Sequence, residues 1–73
     1  MENRMLDHRE IGRRIREERL RQGLRQRDLA AMVGVSESFI GQAERGEKRC
    51  SAETLARLSV GLKMDLRRLM FGD

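Results

Sequence analysis

QRDLAAMVGVSESFIGQAER, residues Gln26 to Arg45, sets two short helical stretches on either side of a tight turn. Leu29 and Ala30 give the first stretch an apolar side, Val33-Gly34-Val35 makes the turn, and Ser36 opens the second. Gly34 stands where the chain must reverse sharply, and glycine reaches positive φ without a Cβ penalty. Ala30 falls where the two helices would cross most closely, so a larger side chain there would push them apart. Ser36 is placed to cap the second helix by accepting a hydrogen bond from a backbone N–H two or three residues on. Ile40 returns to the buried side and leaves Glu37, Ser38, Gly41, Gln42 and Arg45 pointing outward. Two helices joined in this way form a helix-turn-helix, and the second is shaped to enter a DNA major groove.

The rest of the chain is consistent with that reading. Its 73 residues allow one domain. A chain this short buries only about 60% of its unfolded surface, so dimerisation would add stability it needs. The absence of proline and the scarcity of β-branched residues favour helix over sheet. Sixteen Lys and Arg against twelve Asp and Glu leave a net charge of +4, which suits an anionic partner. Only Lys48 and Lys63 among the cations are lysine; the other fourteen are arginine, the better bidentate partner for phosphate and guanine. A high genomic GC content would bias the chain the same way. A single cysteine, Cys50, excludes an internal disulfide and an all-cysteine metal site. No apolar run approaches the roughly 20 residues of a membrane helix, and the first residues lack the apolar core of a signal peptide. The expectation is a soluble cytoplasmic protein with no metal and no cofactor.

Upstream, residues 1–6 read as a flexible tail and the domain as 7–73. Asp7 is a good cap for a first helix, with Glu10 three residues later as in a capping box and Leu6 placed to staple against Ile11. That helix runs to about Gln22, with Ile11, Ile15, part of Arg19 and Leu20 inward, and Gly23 ends it. Downstream, Gly46 stops the second helix of the motif and Gly46-Glu47-Lys48-Arg49-Cys50 forms a polar loop. Ser51 caps a fourth helix, Ala52 to about Val60, and Gly61-Leu62-Lys63-Met64 connects it to a last one, Leu66 to about Phe71, capped by Asp65. The pattern predicts an all-α domain of five helices.

At these residues the sequence resembles the Cro/cI-type (XRE-type) helix-turn-helix DNA-binding domains of phage-repressor-like regulators. The likeness covers Ile11 to Met70 and rests on IGRRIREERLRQGLRQRDLAAMVGVS, SFIGQAERGEKRCSAETLARLS and the final DLRRLM. It implies a compact lambda-repressor-like fold and binding to double-stranded operator DNA, usually as a dimer on a palindrome. It also places Arg19 and Glu44 where family members pair an arginine of the first helix with a glutamate of the third, a structural clamp. Three positions depart from the family pattern. Arg25 replaces the usual Ser, Thr or Asn cap, Cys50 stands where proline is common, and Gly61 replaces a better helix former and is expected to shorten or fray the fourth helix.

Phosphate contacts should supply most of the affinity and carry no sequence information. The candidates are Arg25, Gln26 and Arg27 at a helix amino end, a natural phosphate seat, followed by Arg45, Lys48 and Arg49. Arg13, Arg14 and Arg16 read as the water-facing side of a charged helix. Base reading, carried over from the resemblance, falls to Ser36, Glu37, Ser38, Gly41 and Gln42. Gln42 is the foremost reader, since glutamine bonds adenine N6 and N7 bidentately. Glu37 carries two readings of equal weight, accepting from cytosine N4 or stabilising the first helical turn. Gly41 has no side chain to read with and is expected to let helix and DNA approach closely. Phe39 reads as core or edge packing, and His8 as surface. Lys48 and Arg49 would favour a Cys50 thiolate, but a lone cysteine is more often an inert small residue.

The functional expectation is a sequence-specific transcriptional regulator, foremost a repressor, inserting helix 36–45 into the major groove of a palindromic operator. A homodimer is expected, with Met64, Leu66, Met70 and Phe71 at its interface. No small-molecule ligand is expected, because the chain leaves no room for a sensing module. The rivals are a restriction-modification controller or an antitoxin on the same fold, and a protein-binding adaptor that has lost DNA affinity. No Ser-His-Asp, Cys-His or paired-carboxylate set supports an enzyme. A bacterial or phage-encoded, nucleoid-associated protein fits all of this.

Overall fold

The structure, a computed structural model, describes residues 5–73. In them five helices follow one another without a strand: α1 (His8–Arg21), α2 (Gln26–Val33), α3 (Glu37–Glu44), α4 (Ala52–Leu62) and α5 (Leu66–Phe71). Residues 1–4 of the expected tail lie outside the described residues, and Leu6 departs from the tail reading by packing against the core. Side-chain caps start four of the helices. Asp7 accepts from the amides of Arg9 and Glu10 at 3.0 and 3.2 Å, Ser36 from Phe39 at 3.0 Å, Ser51 from Thr54 at 3.1 Å, and Asp65 from Arg67 and Arg68 at 3.0 and 3.2 Å. The capping box expected at Asp7 is only half formed, because the Glu10 carboxylate turns to Arg13 at 2.8 Å.

Ile11 and Ile15 of α1, Leu29, Ala30 and Val33 of α2, Ile40 and Ala43 of α3, Leu55, Leu58 and Leu62 of α4, and Leu69 of α5 form one core. Full burial of an Ile or Leu is worth about 1.5–3 kcal/mol, and Ile15, Leu29, Ile40, Leu58, Leu62 and Leu69 all reach it. Gly34 holds φ at 80° between α2 and α3, as the sharp reversal requires.

Several expectations need correction. Leu20 is 51% exposed and Glu18 lies on the buried stripe instead. At 100° per residue, position 20 points about 140° away from Ile15 while position 18 returns to within about 60° of it. Glu18 tolerates burial because Arg21 and Gln22 both donate to its carboxylate, and those bonds hold its pKa down at about 2. Gln22 also donates to the Leu62 carbonyl at 2.6 Å, tying α1 to the end of α4. Arg14 does not face water freely; it donates to the Leu69 and Met70 carbonyls at 3.0 and 3.1 Å and so closes the carboxyl end of α5.

Helix α4 is neither shortened nor frayed at Gly61. It continues to Leu62, and Lys63 makes the turn at φ 54°. A Cβ at position 61 would come 3.2 Å from Val33 Cγ2, so the glycine lets α4 lie close on α2. Met64, expected at a dimer interface, is only 7% exposed and belongs to the core of its own protomer. Leu66 and Met70 line a small apolar recess of about 250 Å³ with Leu6, Cys50, Ala52 and Leu55, whereas Phe71 lines a separate cleft between α1 and α5.

Among the glycines the closest approach is at Gly12. A Cβ built there would lie 2.1 Å from the Ala43 carbonyl oxygen and 2.7 Å from that of Glu44, both backbone atoms that cannot swing aside. Helix propensity alone favours alanine over glycine by about 1 kcal/mol. Gly12→Ala is nevertheless expected to destabilise the protein by at least about 1–3 kcal/mol, the usual cost of overpacking, read from urea unfolding. A stabilised variant would show that α1 does not back onto α3 in this way.

Candidate nucleic-acid interface

Helix α3 turns Ile40 and Ala43 into the core and leaves Glu37 and Ser38 exposed, with Ser36 exposed at its cap. Gln42 is half-buried, its backbone carbonyl accepting from the Glu47 amide at 2.9 Å. Phe39 is half-buried and packs against the core. Gly41 departs from expectation: it is buried and covered by protein side chains. A Cβ there would lie 3.3 Å from Arg45 Nη1 and 3.6 Å from Gln26 Nε2, so its lack of a side chain admits these two groups.

The orientation of α3 is set by Arg19 and Glu44. Arg19 donates through Nε and Nη2 to the two Glu44 carboxylate oxygens at 2.6 and 3.0 Å, a bidentate pair. Its Nη1 donates to the Leu24 carbonyl in the α1–α2 connection at 2.9 Å. Both residues are buried, at 7% and 8% exposure. The bonds from Glu44 raise the arginine pKa further, against the opposing effect of burial. Gln26 joins them: its Nε2 donates to Glu44 Oε1 at 3.1 Å. Its side chain is thus fixed across the start of α2 and α3, a positioning role that its polar character and place at the start of a helix did not disclose.

At the amino end of α2 no side chain caps the first helical amides, and Asp28 turns back to the residue before the helix instead. The Asp28 carboxylate accepts from the Arg25 amide at 2.9 Å, with Arg25 Nε 3.8 Å away. The amides of Asp28 and Leu29 donate to the Arg25 carbonyl, and those of Gln26 and Arg27 find no acceptor among the described residues. Arg27, Lys48 and Arg49 are exposed and carry no ion pair among the described residues. Arg45, in contrast, donates through Nε and Nη2 to Glu47 at 2.9 and 3.2 Å, which lowers the Glu47 carboxyl pKa. Cys50 is in the core, and burial pushes its thiol pKa up, opposite to the thiolate that the neighbouring cations suggested. Among the described residues no group of His, Cys, Asp and Glu could hold a metal ion, and no helix is long and apolar enough to cross a membrane.

Removing one member of a buried ion pair leaves the other charge stranded. Glu44→Gln should therefore cost about 3–5 kcal/mol in chemical denaturation, a large part of the stability of a domain this size. Replacing the pair with apolar residues, Arg19→Met with Glu44→Leu, should recover much of that loss. A loss under about 1 kcal/mol for Glu44→Gln would mean that the pair does not hold α3.

Comparison with known proteins agrees with this geometry. A family model described as helix-turn-helix matches residues 15–69. The ImmF control region 10 kDa protein of Bacillus phage phi105 is 31% identical over 65 residues, covering 89% of this chain and 72% of that protein. The crystal structure of the P22 c2 repressor in complex with a synthetic operator is 41% identical, with a TM-score of 0.82 over 86% of this chain and 96% of that one. The restriction-modification controller protein C.AhdI from Aeromonas hydrophila is 35% identical at the same TM-score of 0.82, again over 86% and 96% of the two chains. With five helices, a clamped α3 and these relatives, the chain belongs to the Cro/cI-type helix-turn-helix family of DNA-binding transcription regulators.

Proposed function

We propose that this protein is a cytoplasmic repressor that binds a palindromic operator as a homodimer, each protomer placing α3 in the major groove. The observation that carries this reading is the arrangement around α3. Along the chain its exposed face is bracketed by cations with no ion pair among the described residues, Arg27 before it and Lys48 and Arg49 after it, and the helix is held in place by the Arg19–Glu44–Gln26 network. In this reading the free amides of Gln26 and Arg27 seat one phosphate, with Arg25, Arg27 and the Gln26 side chain beside it, and Lys48 and Arg49 hold another. Ser36, Glu37, Ser38 and Gln42 face base edges, and Gln42 is the principal reader, opposite adenine. The resemblance to the operator-bound P22 c2 repressor supports the assignment of α3.

A restriction-modification controller is the second reading, favoured by the likeness to C.AhdI over 96% of that chain. Both readings share the same DNA contacts. An operator lying beside a restriction gene would decide for the controller.

Selection from randomised duplexes should return one palindrome with half-sites about one helical turn apart. Gln42→Ala should then lose about 1–3 kcal/mol of discrimination at a single position per half-site, while Arg49→Ala should weaken all sequences alike and reduce the salt slope by about one. If Gln42→Ala keeps the full preference in quantitative binding titrations, the register assigned to α3 is wrong.

The dimer is proposed to form through Leu66, which is 38% exposed, and Met70, around the apolar recess that they line. Size-exclusion with light scattering should give a dimer at high concentration and a monomer for Leu66→Asp. A wild-type protein that stays monomeric throughout would exclude this interface.

A further inference from the structure

We propose that Arg45 is a specificity-determining residue that reads guanine, oriented by Glu47 and admitted to the reading face by the missing side chain of Gly41. This rests on the proposed reading of the chain as a sequence-specific DNA-binding protein. Long side chains on a helix lean back toward its amino end. Arg45 does so: its Nη1 lies 3.3 Å from the point that a Cβ at position 41 would occupy. Positions 37, 38, 41, 42 and 45 follow one another along one side of the helix at its natural spacing. The guanidinium has therefore moved one turn back from the end of α3, to the place on the reading face that Gly41 leaves vacant.

Glu47 decides which edge of the guanidinium is presented. Its two carboxylate oxygens take Nε and Nη2 at 2.9 and 3.2 Å, one fork against the other. The remaining edge carries the N–H groups of Nη1 and the second N–H of Nη2. Two donors side by side in a plane match the O6 and N7 acceptors of guanine in the major groove. Neither residue is needed for the fold, since both side chains are more than half exposed, at 59% and 54%, where an ion pair contributes little.

Charge separates base reading from a phosphate contact. A phosphate carries a full negative charge, and the adjacent Glu47 carboxylate repels it. A guanine edge carries partial charges only, so the carboxylate costs less there and orients the donors. The neighbouring loop already supplies two unpaired cations for the backbone, Lys48 and Arg49.

Arg45→Lys separates the roles, because lysine keeps the charge but not the fork. The operator selected by the wild type, together with each of its single-base-pair variants, is titrated with wild type, Arg45→Lys and Glu47→Ala. Circular dichroism confirms that each variant is folded. Arg45→Lys is expected to lose between about fivefold and about 150-fold of the preference for G·C at one position per half-site, with preference elsewhere intact. Glu47→Ala should lose part of the preference at that same position while binding random duplex more tightly, since a negative charge has gone. A uniform change across all sequences in both variants, or an unchanged preference in Arg45→Lys, overturns the assignment and returns Arg45 to the backbone. A wild type that selects no sequence removes the reading of the protein itself, and this assignment with it.

Discussion

The carboxylate of Glu44 is held by groups from two other segments of chain, and the placement of α3 follows from it. Arg19 reaches it from α1 and Gln26 from the first turn of α2, while the same arginine holds the Leu24 carbonyl in the connection between them. A buried ion pair adds little net stability compared with apolar packing of the same volume, because desolvation offsets most of the attraction. What it fixes is geometry. Hydrophobic contacts at Ile40 and Ala43 tolerate a small rotation or slide of α3, but a two-pronged pair between planar groups does not. A helix that must present side chains to base edges gains from a constraint of that kind, because an error of an ångström at its surface misses the donors and acceptors opposite.

The pair can form because α1 comes close enough. Gly12 lets the backbone of α1 rest against the carbonyls of Ala43 and Glu44, and seven residues further along the same face Arg19 meets the Glu44 side chain. Glycine in a helix interior costs about 1 kcal/mol relative to alanine, and here that cost is offset by a helix crossing that no larger residue permits. Gly61 does the same for α4 against Val33. Gly61 looks like a helix breaker along the sequence; in the fold it and Gly12 each mark a close approach between two helices.

That contrast shows what could be read in advance. The helices, their caps at Asp7, Ser36, Ser51 and Asp65, and the turn at Gly34 were legible because each depends on neighbours a few residues apart. The Arg19–Glu44 pair was legible only through resemblance, since nothing local links residues 25 apart. What escaped the sequence was tertiary. Glu18 reads as a surface charge and is buried, because its partners Arg21 and Gln22 travel with it. Met64 reads as spare apolar surface and fills the core. Gly41 reads as a gap facing outward, yet Arg45 and Gln26 close over it. For Met64 and Gly41 the deciding neighbour comes from another element or folds back from the helix end, whereas Glu18 is set by partners three and four residues on in its own helix.

The distribution of cations follows from the same separation of roles. Many arginines are engaged internally: Arg13 with Glu10 and Glu17, Arg21 with Glu18, Arg57 with Glu53, and Arg14 on the carbonyls of α5. Pairs within one helix neutralise their own field, so they add to the charge count without attracting a distant anion. Arg27, Lys48 and Arg49 are not matched in this way, and they stand at the two ends of the helix-turn-helix. Arg25 with Asp28 and Arg45 with Glu47 cancel in the same way at the helix-turn-helix, which leaves Arg27, Lys48 and Arg49 as its cations without an ion pair among the described residues. On the proposed assignment Arg45 is paired and lies on the reading face, a combination that suits recognition of an uncharged edge better than attraction to a charged one.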